Sequence, residues 1–252
     1  PFSRVADAEV MRILEPVVMG VVAPNGSNDK KIPNMDSLIY DFDDTNLFSR
    51  NRFAGYDRVE SGTRLNYGIK WALYDRENRS VSTLFGQSYR FRKDDDLGAL
   101  MGYNANFSDY VGRIKMNYGP VSLAYHFRWD QDNLTPNKHE VEAWAGTAPL
   151  RVGIEYVYLK SEQMGDTFYP SREEIVLHGA SKFSQNWTLA GSYRYNLGKT
   201  GGPVSFDVTA RYDNECLGIL FDVSRSYTRD RDYKGDTSFM VKFILKTLGG
   251  ME

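Results

Sequence analysis

The chain has 252 residues, of which 41% are hydrophobic and 14% aromatic, and its formal net charge is −2. No run approaches the ~18–20 apolar residues that a transmembrane helix needs, which excludes helical spans but not a barrel, whose strands are apolar on one face only. The near-neutral charge gives no indication of a nucleic-acid partner. The 17 Tyr and 14 Phe are many for a soluble domain and are typical of the aromatic girdles of membrane barrels.

Apolar and polar residues alternate over segments of strand length. From Val121 to Asp130, apolar side chains at every second position face one way and polar or small ones face the other. Successive strand residues point to opposite faces, so this period of two predicts two-faced strands. Pro16 lacks a backbone N–H and is expected at an edge or a bulge. The pattern predicts twelve strands, at residues 11–23, 62–74, 79–91, 109–118, 121–131, 138–147, 150–160, 172–183, 187–197, 204–213, 217–228 and 237–248.

Short and long connections alternate between these strands. The short connections are 75–78, 119–120, 148–149, 184–186 and 214–216. The generally longer ones are 24–61, 92–108, 132–137, 161–171, 198–203 and 229–236. Short turns at one end and longer loops at the other are typical of outer-membrane barrels, whose tilted strands also need about nine to eleven residues. The pattern therefore predicts an all-β fold, an antiparallel transmembrane β-barrel with about 12 strands in this chain.

If the apolar face meets lipid, the polar face lines a lumen. The basic residues expected there are Arg64, Lys70, Arg113, Lys115, Arg128, Arg194, Arg211, Lys242 and Lys246. With Arg90, Arg151 and Lys182 they make roughly a dozen bases against about seven acids on that face. Such a field favours anions. The alternative is that these are solvated charges that neutralise one another.

Three histidines, His126, His139 and His178, raise the alternative of an outer-membrane hydrolase. The GxSxG motif is absent and no serine lies in a nucleophile-elbow setting. A histidine that lines the polar face is the favoured interpretation, so no catalytic residue is predicted.

The segment Asp41 to Asn46 is acidic, but it lacks the glycine and the distal glutamate of an EF-hand. A turn or helix start capped by Asp44 or Thr45 is favoured over a calcium site. The following segment, Asn51 to Arg58, mixes aromatics and arginines. It is expected to pin the long loop against the barrel, with saccharide or phosphate binding as the alternative. No metal or cofactor site is therefore expected.

Several stretches are specific enough to suggest a family. They are Glu15-Pro16-Val17-Val18, Ile32-Pro33-Asn34, FDDTNLFSRNRFAGYDRVESGTRLNYGIKW (Phe42–Trp71), NECLGILFDVSRSYTRDRD (Asn214–Asp232) and DTSFMVKFILKTLG (Asp236–Gly249). They resemble the C-terminal barrel region of the LPS-assembly protein LptD family, also called the organic solvent tolerance proteins. The resemblance implies a barrel of about 26 strands that follows a periplasmic jelly-roll domain. Residues 1–252 would then form a curved open sheet from that larger barrel, without the jelly roll and the first strands.

The resemblance also implies a location and a role. Family members lie in the outer membrane of Gram-negative bacteria, use no cofactor and catalyse no covalent reaction. Lipopolysaccharide arrives over a periplasmic Lpt bridge through the N-terminal domain, its sugars cross the lumen, and its lipid leaves between the first and last strands. An LptE-type lipoprotein plugs the barrel. In this chain the last strand would carry the lateral gate, with Phe239, Val241, Phe243 and Leu245 on one face.

Cys216 is the one cysteine of the chain, so it forms no internal disulfide. Taken alone it is interpreted as a free thiol. The resemblance implies a disulfide between this turn and the N-terminal domain, which the oxidising periplasm permits. The chain has Glu215-Cys216 where an adjacent cysteine pair would allow two bridges, so one bridge is expected.

Two further hypotheses remain from the pattern of residues. A passive porin or receptor would be complete at about twelve strands, whereas a soluble β-sandwich would bury the apolar faces between two sheets. The chain starts without an initiator Met or a signal peptide, which is expected of a mature product or a fragment.

Overall fold

The structure is a computed structural model that describes residues 2–6, 10–24, 41–53, 56–77, 79–92, 106–164, 167–199, 201–228 and 235–246. These residues form fifteen β-strands. The strands are β1 (Phe2–Ala6), β2 (Val10–Val21), β3 (Arg64–Asp75), β4 (Ser80–Arg90), β5 (Tyr110–Tyr118), β6 (Val121–Trp129), β7 (Pro136–Thr147), β8 (Leu150–Leu159), β9 (Glu162–Met164), β10 (Thr167–Tyr169), β11 (Arg172–Ser181), β12 (Trp187–Asn196), β13 (Gly202–Asp213), β14 (Leu217–Ser226) and β15 (Thr237–Leu245).

Thirteen of these strands form one sheet, in the order β1-β2-β3-β4-β5-β6-β7-β8-β11-β12-β13-β14-β15. The strands β9 and β10 pair with each other in a separate two-stranded sheet. Neighbouring strands run antiparallel wherever their register is defined, as in β2 with β3 and β14 with β15. Within the described residues the large sheet is open, and β1 and β15 are its two edges.

The chain divides into two compact units. The first comprises Pro1–Gly119, Leu123–Glu140 and Tyr158–Ser171. The second comprises Pro120–Ser122, Val141–Val157 and Arg172–Glu252. The strands β1–β5 therefore belong to the first unit and β11–β15 to the second. In the ranges given above, no helix is long and apolar enough to span a bilayer.

The prediction of an all-β antiparallel sheet is confirmed, and each of the twelve predicted strands is present within a few residues of its expected bounds. The structure adds β1 and the β9–β10 hairpin, which lies inside the predicted connection 161–171. Pro16 pairs with Ile69 of β3, and the described register of β1 with β2 ends at Leu14, so the expectation of an edge or a bulge at Pro16 stays a prediction. The motif Ile32-Pro33-Asn34 and the end of the predicted strand 237–248 lie outside the described residues.

Local residue chemistry explains the short turns. Asp75 accepts hydrogen bonds at Oδ1 from the backbone N–H groups of Glu77 (2.8 Å) and Arg79 (3.1 Å), which closes the β3–β4 turn. Asn214 does the same between β13 and β14, where Leu217 donates at 2.7 Å. Gly119 has a φ of +56°, a conformation that a side chain disfavours, and it precedes Pro120 in the two-residue β5–β6 turn.

Burial runs opposite to that of a soluble protein. In the described part of the chain, fourteen polar or charged residues are buried but only six hydrophobic ones. Arg64 and Asn66 of β3 are 1% and 0% exposed, whereas Ile69 on the other face of the same strand is 43% exposed. Soluble domains bury apolar surface because water disfavours it. A sheet with buried polar and exposed apolar residues suits an apolar surrounding.

Candidate functional site

A long loop lies on the polar face of the first unit. Its described residues, 41–53 and 56–63, are called the docked loop below. Asp43 organises its start, because its Oδ1 atom accepts hydrogen bonds from the backbone N–H (2.9 Å) and hydroxyl (2.5 Å) of Thr45. The capping side chain is thus that of Asp43, and the expectation of Asp44 or Thr45 was wrong. The chain turns so that Asp44 is free to face the sheet.

Apolar side chains seat the docked loop. Phe42 and Leu47 are fully buried and cluster with Leu84 of β4 and Val111 of β5. The strand surface beneath is flat because Gly86 has no side chain. A Cβ atom at Gly86 would lie 2.5 Å from the Leu47 Cδ2 atom. Glycine therefore makes the space that the loop occupies.

Arg52 fastens the middle of the docked loop. Its Nη2 atom donates to Asn66 Oδ1 at 2.6 Å and to Ser88 Oγ at 3.0 Å, which join the loop to β3 and β4. Its Nη1 atom lies 3.4 Å from the Glu60 carboxylate, and both side chains are fully buried. Burying an ion pair is costly unless further hydrogen bonds satisfy the charges, and this geometry supplies them. The expectation that this segment pins the loop is confirmed.

Glu60 is the shared anion of this cluster. Its carboxylate lies 3.2 Å from Arg64 Nη2 and 2.9 Å from Arg90 Nη2, in addition to the contact with Arg52. Arg64 also donates to the backbone carbonyls of Ser49 (3.1 Å) and Arg50 (2.5 Å). Three buried guanidinium groups thus converge on one loop carboxylate, so the loop and the strands depend on each other for charge compensation.

Two aspartates of the loop each bridge two basic side chains of neighbouring strands. In the Asp44 bridge, Oδ1 lies 2.7 Å from His126 Nδ1 on β6 and Oδ2 lies 3.2 Å from Arg113 Nη1 on β5. Because each carboxylate oxygen has its own partner, the group is held as a bound anion would be.

The Asp41 bridge repeats this geometry one strand further along the sheet. Its Oδ1 lies 2.9 Å from Arg128 Nη1 on β6, and its Oδ2 lies 2.5 Å from Lys138 Nζ on β7. Asp43 lies 3.6 Å from the same lysine. The side chains of Arg128 and Lys138 are only 3% and 6% exposed. The acidic segment considered for calcium is therefore bound to bases, and no group of metal-ligating residues occurs within the described ranges.

The predicted lumen-lining bases have different surroundings. Arg64, Arg113 and Arg128 lie beneath the docked loop in the contacts given above. The other paired ones are Lys70 with Glu15 (3.4 Å), Arg194 with Glu174 (3.5 Å), Arg211 with Asp213 (3.2 Å) and Lys246 with Asp213. Lys115 and Lys242 are exposed. Acids within reach of these bases support the alternative of mutual neutralisation, and the net field of the face stays a prediction.

The other two histidines also have polar partners. His139 Nδ1 lies 2.6 Å from the Tyr125 hydroxyl. His178 Nε2 lies 3.1 Å from Glu155 in the second unit. With His126 held by Asp44, each histidine has a structural contact that accounts for it.

The last strand is the most exposed element of the second unit. All nine residues of β15 are exposed, and the strand pairs with β14 alone among the described strands. The predicted gate residues Phe239, Val241, Phe243 and Leu245 are 68%, 37%, 67% and 63% exposed. The N–H and C=O groups along the edge of such a strand can pair with another strand, and its apolar side chains can pack against an apolar surface.

Cys216 lies in the Asn214 turn between β13 and β14. Its thiol is free and exposed, and its backbone N–H donates to Asn214 Oδ1 at 2.9 Å. Its carbonyl accepts from the backbone of Lys246 at 3.0 Å. The turn is thus rigidly held while the sulfur stays accessible.

Together these features define a class of protein: an antiparallel sheet with an exposed apolar face, in which the first unit carries a loop on its polar face and the second unit ends in an exposed strand. The family model described as "LptD: LPS transport system D" matches residues 1–187 of the chain. The chain belongs to this family.

Curated relatives agree with this assignment. The LPS-assembly protein LptD of Coxiella burnetii is 20% identical over 96% of the chain, that of Legionella pneumophila is 23% identical over 89%, and that of Chromobacterium violaceum is 27% identical over 94%. In each case the chain spans about 30% of the relative's length.

Proposed function

We propose that the chain is the C-terminal part of an outer-membrane barrel that inserts lipopolysaccharide into the outer leaflet. The observation that carries this proposal is the edge strand β15, whose residues are exposed and largely apolar. It supports the proposal because the chain belongs to this family and its sheet buries polar side chains while it exposes apolar ones. An amphipathic cargo needs a polar path for its sugars and a lateral exit for its lipid chains. A polar face that ends at an unpaired apolar edge supplies both surfaces.

The partners follow from the same proposal. The first strand of the barrel, outside this chain, would lie beside β15 when the gate is closed. A periplasmic Lpt bridge would deliver lipopolysaccharide through an N-terminal jelly-roll domain, and an LptE-type lipoprotein would fill the barrel. The accessible sulfur of Cys216, in a rigid turn, would form a disulfide with the N-terminal domain.

Depletion of the full-length protein tests the proposed function. Newly made lipopolysaccharide should stop reaching the cell surface, while uptake of small solutes stays unchanged. A passive porin, which family membership does not favour, would give the opposite result: normal surface lipopolysaccharide and slower solute uptake. That second result would contradict the proposal.

A further inference from the structure

The Asp44 and Asp41 bridges hold carboxylates where two external anions would bind. Each carboxylate receives one basic group from each of two adjacent strands, which is how proteins hold phosphate with paired charge-assisted hydrogen bonds. His126 and Arg128 are two residues apart on β6, so the two carboxylates meet the same face of one strand. Residues i and i+2 of a strand are ~7 Å apart. A ligand with two anionic groups about this far apart can contact both pairs of bases.

Charge compensation explains why a ligand would compete with the loop. Buried bases such as Arg128 and Lys138 need an anion partner, because an uncompensated buried charge is strongly destabilising. The sheet contributes Glu140 at 3.1 Å from Lys138 and Asp109 at 3.5 Å from Arg128. Without the loop carboxylates, Arg113, Arg128 and Lys138 would each lose an anionic partner. An anion could replace the loop carboxylates, whereas undocking with no replacement would leave these bases with fewer anionic partners.

We propose that the four bases of the two bridges form a binding site for a saccharide that carries two phosphate groups. The docked loop occupies this site with Asp44 and Asp41 and leaves when the phosphates arrive. This site rests on the proposed function. It names the residues that would contact the anionic sugars of the cargo, and it makes binding of the cargo the event that releases the loop.

Calorimetry on the full-length protein in detergent tests the site, with fructose 1,6-bisphosphate as the probe. The double variant Asp41→Asn with Asp44→Asn should bind it at least tenfold more tightly than the unmodified protein, since the competing charges are gone. Adding Arg128→Gln should remove that gain. Glu77→Gln, which removes a carboxylate from an arginine pair at the β3–β4 turn, is the matched control and should bind like the unmodified protein. Equal affinity of the double variant and this control would overturn the proposal.

Hydrogen exchange on the unmodified protein covers the case in which the double variant fails to fold. Saturating fructose 1,6-bisphosphate should accelerate exchange of the amides from Phe42 to Leu47. Fructose 6-phosphate should act weakly, and sodium chloride at equal ionic strength should have no effect. Unchanged exchange with the bisphosphate would refute loop displacement. Neither assay requires transport, so the binding site and the proposed function can fail separately.

Discussion

The Nη2 atom of Arg52 lies 2.6 Å from the Oδ1 atom of Asn66, and this contact joins the docked loop to β3 across a fully buried surface. The same guanidinium packs 4.9 Å from the ring centroid of Phe42, so one side chain links the polar and apolar anchors of the loop. Docking of the loop is therefore expected to depend strongly on Arg52.

Replacing Arg52 with methionine should undock the loop. The change leaves Asn66 and Ser88 without their donor and removes one partner of buried Glu60, a loss of about 3–5 kcal/mol for a buried pair. Amide exchange across residues 42–53 of the full-length protein should accelerate by about a hundredfold or more. Arg50→Met is the matched control, because that side chain is exposed. Similar exchange in both variants would show that Arg52 does not hold the loop.

Replacing Gly86 with alanine should also disturb the docked loop. The new Cβ atom would lie 2.5 Å from Leu47 Cδ2 and 2.6 Å from the backbone oxygen of Tyr67, so both the loop and the strand would have to shift. Overpacking of this kind costs about 1–3 kcal/mol. At Gly20 of β2 a Cβ atom meets nothing within 4 Å, so Gly20→Ala should be neutral or slightly stabilising. Thermal unfolding of both variants checks this, and an equally stable Gly86→Ala variant would contradict it.

The strands could be predicted because each carries its own signal. In β6 and β13 the alternation of apolar and polar residues fixes both the strand and the orientation of its two faces, whatever the neighbours are. The hairpin of β9 and β10 was missed because three-residue strands are too short to show a period of two. Strand length and alternation are local properties, so the antiparallel sheet was accessible from the residue pattern, whereas its openness was implied by the family resemblance.

The docked loop could not be predicted to the same depth. The contacts of Arg52 with Ser88 and of Asp44 with His126 join residues 36 and 82 positions apart, and no local pattern specifies such pairs. Pinning by the Asn51–Arg58 segment was anticipated from its composition, but the role of Glu60 was not. One signal was available in the sequence. The polar face of the strands carries more bases than acids, and the long loop between β2 and β3 is acidic, so ion pairs between the two could have been expected.

Stability should depend on the ionisation of Asp109, which precedes β5. Burial raises the pKa of this carboxyl from 3.8 to about 6, although a hydrogen bond from Asn137 and the charge of Arg128 both lower it. The folded state thus favours the neutral acid. The stabilisation is complete below pH 3.8 and is lost as the pH rises to about 6, a change on the order of 3 kcal/mol.

The variant Asp109→Asn isolates this effect. Unfolding free energies of the full-length protein and the variant should be measured from pH 3.5 to 7. Their difference should change in favour of the variant by on the order of 3 kcal/mol across that window. A difference that stays constant with pH would show that Asp109 titrates normally.

Cys216 should be oxidised in the full-length protein. The sulfur is exposed in the turn between β13 and β14, so it is accessible to a cysteine of the proposed N-terminal domain. Full-length protein isolated without a reducing agent should migrate faster on a non-reducing gel than after reduction. The variant Cys216→Ser should abolish the difference. Complete alkylation of Cys216 in the untreated protein would exclude the bridge.

Capture of lipopolysaccharide at the edge strand tests the central claim most directly. A photo-crosslinking amino acid is placed in the full-length protein at Phe243 of β15, and as a control at Phe206 of β13, an exposed phenylalanine on a strand paired on both sides. Irradiation of living cells should crosslink lipopolysaccharide to position 243 and leave position 206 unmodified. Equal capture at both positions, or none at 243 in cells that display surface lipopolysaccharide, would contradict an exit at β15.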